Sequence, residues 1–247
     1  MSTSEITATE SPVVPRPLWT AGFFGVLATQ FLGTFNDNLL RWLSVCVGER
    51  IGNLSGAMNA TEQESWKTLM LVLGGVAFTM PYLFLMPLAG SLADRYSKRS
   101  VMITMKIAEV IIMTFAVWVM AHGNVTLMFI SVGLMGAQSA LFGPSRFGAM
   151  PEILPSEHLS EGNGYTGLAT VVACALGAAA GFRMFGVIDH GITATGVSWI
   201  AFLPAAASLI GIAIAGTLTS LLIPPLAAGG PDKTLKLNPL TETIPAL

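Results

Sequence analysis

Six long apolar stretches, separated by short polar ones, run along the chain at 18–47, 68–92, 101–120, 125–142, 165–185 and 196–223. About 20 apolar residues in a helix cross the hydrocarbon layer of a bilayer, where every backbone polar group must be satisfied internally. The pattern therefore predicts an all-α, polytopic membrane protein with six transmembrane helices. Residues 1–17 are polar, with Glu5, Glu10, Pro12, Pro15 and Pro17, and are expected to form a disordered arm. They lack the basic start and early apolar core of a secretory signal, so the first apolar segment is expected to stay as an anchor. After Pro224 and Pro225 the chain turns polar again, and 224–247 are expected to be a linker or tail flanking the 18–223 bundle.

Composition sharpens this picture. Of 247 residues, 53% are hydrophobic and 11% charged, against about a quarter charged in soluble domains. Mean hydropathy is +0.68. A soluble enzyme, a disordered tail and a nucleic-acid binder are excluded, and a net charge of −2 offers no field for a polyanion. Cys46 and Cys174 both lie in apolar runs and make neither a disulfide framework nor a metal-ligand spacing. His122, His158 and His190 fall in loops and read as solvated. None is followed five positions on by the Asp that a lipid acyltransferase pairs with its histidine: Leu127, Asn163 and Thr195 stand there. No G-x-S-x-G elbow, P-loop or dinucleotide fingerprint occurs. The chain is expected to have no catalytic residues, metal or cofactor.

Orientation follows from the basic residues. With the N-terminus inside, Arg16, Arg95, Lys98, Arg99, Arg146, Lys233 and Lys236 fall on the cytoplasmic side, and Arg50, Lys67 and Arg183 outside. The densest cluster, DRYSKR, occupies the tight loop after the second segment. Both termini are expected in the cytoplasm. Asn53, Asn59 and Asn124 each begin an N-x-Ser/Thr triplet in an outer loop, a pattern that arises readily by chance.

Three motifs carry chemistry. The first, Gly90-Ser-Leu-Ala-Asp94-Arg95-Tyr-Ser-Lys98-Arg99, joins the second and third segments. Gly90 would admit a neighbouring helix closely. Asp94, near a helix C-terminus where the dipole disfavours it, would seek a cation or another helix's N-terminus. Together with Arg95, Lys98 and Arg99 it is a candidate gate. A plain topology-setting basic loop accounts for the cluster but not for its order.

The second motif is Gln30-Phe-Leu-Gly33-Thr-Phe-Asn36-Asp37-Asn38-Leu-Leu-Arg41, in the first segment. Polar groups inside a span are costly and mark a cavity or a partner. Asp37 and Arg41, four apart, share a helix face and can pair. Asn36, Asp37, Asn38 and Arg41 are candidate ligands for a headgroup, against the alternative of an intrahelical pair that only positions the helix. The third motif, Ala140-Leu-Phe-Gly143-Pro144-Ser145-Arg146-Phe-Gly148-Ala-Met-Pro151-Glu152-Ile-Leu-Pro155, closes the fourth segment. Pro144 should break or kink the helix. That would leave Arg146 near the inner surface, to hold a lipid phosphate or to pair with Glu152, Glu157 or Glu161. Elsewhere, Lys106 and Glu109 are expected to form a structural helix-face pair, with snorkelling of Lys106 as the alternative. Gly177-x-x-x-Gly181 should be a close-packing face, and Arg183 should snorkel outward.

The first motif resembles the loop signature of the major facilitator superfamily, with Ser97 in place of its second glycine. The three motifs together are similar to the lysophospholipid transporter branch, over roughly residues 18–245. Glu161-Gly-Asn163-Gly164 resembles that branch's A-N-G segment, with Gly162 for the alanine. The resemblance implies inward movement of lysophospholipid across the inner membrane. It also implies a link to an acyltransferase and an acyl-carrier-protein synthetase.

Six helices are half of such a fold, whose substrate cavity lies between two six-helix halves. A truncated or frameshifted gene, a second half on a separate chain and a homodimer are the explanations, in that order. The other functions to weigh are proton-coupled transport of another small solute and a non-transporting half-module that binds a partner.

Overall fold

The computed structural model describes residues 17–54 and 58–227. The expectations for 1–16, for the end of the tail and for Lys233 and Lys236 lie outside the described residues. Among the described residues six α-helices make up the bundle: α1 (Ala21–Leu54), α2 (Ala60–Arg95), α3 (Lys98–Ala121), α4 (Val125–Ile153), α5 (Leu159–Ile188) and α6 (Leu203–Ser220). A two-stranded antiparallel hairpin, β1 (Ile192–Thr193) and β2 (Gly196–Val197), lies between α5 and α6.

Five helices, α2 to α6, are long and apolar enough to cross a membrane. The first, α1, falls short on apolarity, since Gln30, Asn36, Asp37, Asn38 and Arg41 interrupt it. It is enclosed instead, packed against α5, α6, α2 and α4. The chain is an all-α, multi-pass membrane protein. Leu83 and Phe84 on α2 and Leu168 on α5 are exposed, as side chains facing lipid or another apolar surface are.

The helix ends explain where the sequence reading and the structure part. Asn59 and Asn124 are N-caps. Asn59 Oδ1 accepts from the Glu62 amide (3.0 Å) while Glu62 accepts from the Asn59 amide (2.8 Å), a reciprocal box that starts α2 eight residues before the apolar stretch. Asn124 Oδ1 accepts from the Leu127 amide (3.0 Å) and starts α4. The predicted break at Pro144 does not occur: α4 runs through Pro144 and Pro151 to Ile153. The sixth segment is not helical from residue 196. Its start is the hairpin and a 3₁₀ turn (Trp199–Phe202), and the hairpin tucks Ile192 into the core.

Close approaches fix the helix pairs that frame the site. A Cβ at Gly136 would strike the main chain of Phe78, so this glycine lets α4 lie against α2. Gly177 and Gly181 press α5 onto α1 at the Phe35 and Leu39 carbonyls, as the G-x-x-x-G spacing predicts. The core joins Leu39, Leu43, Met113, Met120, Met135 and Leu209.

Candidate functional site

The polar residues of α1 divide by face. Asp37, Asn38 and Arg41 look into a cavity bounded by α1, α2, α4 and α5. The cavity has a wider part of about 590 Å³ and a narrower part of about 180 Å³, and Gln30, Thr34, Asp37, Tyr82 and Arg146 line both. The wider part also touches Trp42, Phe78, Thr170 and Cys174. The narrower part reaches Lys106 and the α4 residues Gln138 and Ser139.

Asp37 and Arg41 share a face, but they do not form the expected ion pair; among the described residues none is made between them. Ser139 on α4 takes Asp37 instead, donating to Oδ2 at 2.6 Å, while Oδ1 has no hydrogen-bond partner. Arg41 turns back and donates to Asn38 Oδ1 at 2.8 Å. Its guanidinium lies 5.5 Å from the Trp42 ring and 5.7 Å from that of Phe78, so stacking holds the cation. Asn38 Nδ2 donates to the Thr34 carbonyl (2.8 Å) and reaches Cys174 Sγ at 3.5 Å.

Arg146 is not at the surface. It is 8% exposed, lines both parts of the cavity and stacks on Phe147 at 4.1 Å. Its Nε and Nη1 have no hydrogen-bond partner. Among the described residues it forms an ion pair with none of Glu152, Glu157 and Glu161: Glu152 pairs with Lys98, and Glu161 with His158 at 3.4 Å. Because α4 continues past Pro144, Arg146 stays within the helix and turns toward the cavity.

Asn36 does not line the cavity. It is fully buried on the opposite face of α1, where Nδ2 donates to Glu109 Oε1 and to the Leu209 carbonyl, both at 3.1 Å. The expectation of Asn36 as a headgroup ligand gives way to a placement that ties α1 to α3 and α6. Glu109 Oε2 takes the Lys106 ammonium at 2.6 Å, so the 106–109 pair is buried between helices and does not snorkel.

The gate candidates gather at the end of the bundle where α1 begins. Gly90 faces open space, with nothing within 4 Å of a Cβ built on it, so it admits no close helix here. Asp94 is exposed and, among the described residues, has no ion-pair or hydrogen-bond partner, unlike the partnered carboxylate expected. The Arg95 guanidinium lies 5.7 Å from the Tyr96 ring. Lys98 joins α3 to α4 through Glu152, and Arg99 Nη2 reaches the Leu221 carbonyl at 3.4 Å.

Sequence reasoning missed Ser139, Gln138, Tyr82 and Thr170. The adjacent Gln138-Ser139 pair inside an apolar segment was the available signal. Tyr82 and Thr170 carry none, since single residues of these types are common in spans.

Comparison with known proteins adds to this geometry. The family described as transmembrane secretion effector matches residues 46–221. The chain belongs to that major-facilitator family. Among curated relatives, the lysophospholipid transporter LplT of Cronobacter sakazakii is 27% identical over 227 residues, covering 92% of this chain and 49% of the relative. Its namesakes in Salmonella schwarzengrund and Salmonella agona are 26% identical over 236 residues, covering 95% of the chain and 50% of each relative. The chain thus spans about half the length of the curated relatives it matches. No solved structure matches it. As a family member the chain carries its cavity on α1, α2, α4 and α5, with α3 and α6 behind them.

Proposed function

We propose that the chain forms one half of a transporter that moves lysophospholipid inward across the inner membrane, with both termini in the cytoplasm. The observation that carries this reading is the pairing in one cavity of an acid with an unpartnered oxygen, Asp37, and a buried guanidinium with unpartnered nitrogens, Arg146. A zwitterionic headgroup supplies the complement: a phosphate for Arg146 and Arg41, and an ammonium for Asp37. Trp42, Phe78 and Tyr82 give the flanking apolar wall, and the acyl chain would lie along apolar helix faces. Asn38 acts by holding Arg41. The lysophospholipid transporter names of the relatives support the cargo.

A second six-helix half would complete the path, with Asp94, Arg95, Lys98 and Arg99 near its closing end. In this reading the chain performs no catalytic step. An acyltransferase or acyl-carrier-protein synthetase acts on the lipid after delivery.

The test is binding of lysophosphatidylethanolamine to the chain in nanodiscs, in competition with small polar solutes. The proposal expects saturable lysolipid binding that the solutes do not displace. Displacement by a small solute would favour the second reading, a proton-coupled solute facilitator with Asp37 as carrier. The unpartnered Asp37 oxygen is the observation that keeps that reading in view.

A further inference from the structure

Lys106 is built into the molecule in an unusual way. It lies on α3 behind α1, 3% exposed, yet its side chain reaches the narrower part of the cavity beside Asp37 and Arg146. Gly33 makes the passage, and Gly216 flanks it at ordinary contact distance. A Cβ at Gly33 of α1 would collide with the Lys106 ammonium, and one at Gly216 of α6 would lie 3.7 Å from Lys106 Cδ. Behind the ammonium stands Glu109 at 2.6 Å, itself held by Asn36 at 3.1 Å. To one side lies the Phe142 ring, 5.1 Å from Nζ.

Among the described residues Glu109 is the one hydrogen-bond acceptor of this ammonium. An ammonium has three N–H donors. Two are left without a protein acceptor, in a group that borders the cavity. A pair serving packing alone gains little over apolar side chains of the same size. Here the acid is saturated from behind and the cation is left unsaturated in front.

We propose that Lys106 is an anion-binding residue of this cavity. Its ammonium bridges Glu109 and a phosphate-ester oxygen of a single-chain amphiphile, with Arg146 on the same anion. Asn36 and Glu109 are positioning residues that hold the ammonium toward the cavity. This rests on the headgroup reading above for the place of the ligand, and adds to it a group on a helix outside the three motifs.

The test measures affinity in nanodiscs, by tryptophan fluorescence, for dodecyl phosphate, lysophosphatidylethanolamine and the neutral 1-monolauroylglycerol. The wild type should prefer dodecyl phosphate to monolauroylglycerol. Lys106→Gln should reduce that preference about ten-fold or more, as expected for loss of a charge-assisted hydrogen bond. Lys106→Arg should keep most of it. Since Lys106→Gln leaves Glu109 buried without its cation, the double variant Lys106→Gln/Glu109→Gln serves as the folding control. It should melt near the wild-type temperature and still lack the preference.

Regained preference in that double variant, or an unchanged preference in Lys106→Gln, would overturn the assignment. So would a wild type that does not distinguish phosphate from the neutral lipid. If dodecyl phosphate binds through Lys106 but lysophosphatidylethanolamine does not, the lysolipid reading falls and the role of Lys106 stands.

Discussion

Asn36 and Asp37 are neighbours in the chain and opposites in the fold. Asn36 looks back into α3 and α6, and its amide donates twice, to Glu109 and to the Leu209 carbonyl. Asp37 looks into the cavity, accepts from Ser139 and leaves its second oxygen without a partner. Both are costly inside an apolar helix. On one face the amide nitrogen is met by two protein acceptors on α3 and α6, although Oδ1 has no partner, and those two ties make the residue a strut. On the other the unpartnered oxygen belongs to a residue that lines the cavity, which makes the residue a site. The same contrast separates Glu109, with both oxygens engaged, from Arg146, with two nitrogens unengaged. Polarity within a span is therefore a poor guide to function until its partners and the space beside it are known.

The contrast predicts different failures on the two faces. The largest effect should come from Glu109→Ala, which leaves Lys106 buried without its acid. Breaking one side of a buried pair costs ~3–5 kcal/mol, and thermal unfolding in detergent should show a large fall in melting temperature. A melting temperature near wild type would mean the pair is not a strut. On the cavity face, Arg146→Gln should weaken lysophosphatidylethanolamine binding by about ten- to a hundred-fold, the size of a lost charge-assisted hydrogen bond. Its melting temperature should hold or rise, because a buried cation without a full set of partners is removed. A stability loss without a binding loss would reverse the assignment of that face.

Asn36→Ala should cost ~1–3 kcal/mol in unfolding, since Glu109 Oε1 and the Leu209 carbonyl both lose their donor. Its lysolipid affinity should change far less than that of Arg146→Gln. The smallest effect is expected for Gly90→Ala. Open space surrounds that position, and alanine within a helix is favoured over glycine by ~0.5–1 kcal/mol. A slight gain in melting temperature is the expected reading, whereas a marked loss would reveal a close helix contact at Gly90.

Much of this arrangement was legible in the sequence. Helices α2 to α6 follow from apolar stretches long enough to span a bilayer, whereas the expected first span falls short on apolarity. The close approach of α5 to α1 follows from Gly177 and Gly181. The sequence also shows that α1 carries polar groups needing partners. It does not show which partners they find. Spacing of four placed Asp37 and Arg41 on one face, but Ser139 from α4 and the nearby Asn38 side-chain amide oxygen competed successfully for them. Pro144 reads as a helix end in isolation, yet packing carries α4 past it and turns Arg146 inward. Asn59 and Asn124 sit before apolar stretches and act as caps, a role their neighbours Glu62 and Leu127 complete only in the folded chain.

The most direct test of a headgroup in this cavity uses the two native thiols. Cys174 is exposed, lines the cavity and touches Asn38, whereas Cys46 is buried. With a water-soluble maleimide, Cys174 should react and Cys46 should not. Lysophosphatidylethanolamine should slow Cys174 labelling in the wild type, with no such protection in Arg146→Gln or from monolauroylglycerol. Equal labelling rates with and without the lysolipid, at concentrations that saturate its binding, would place the headgroup elsewhere and contradict the account.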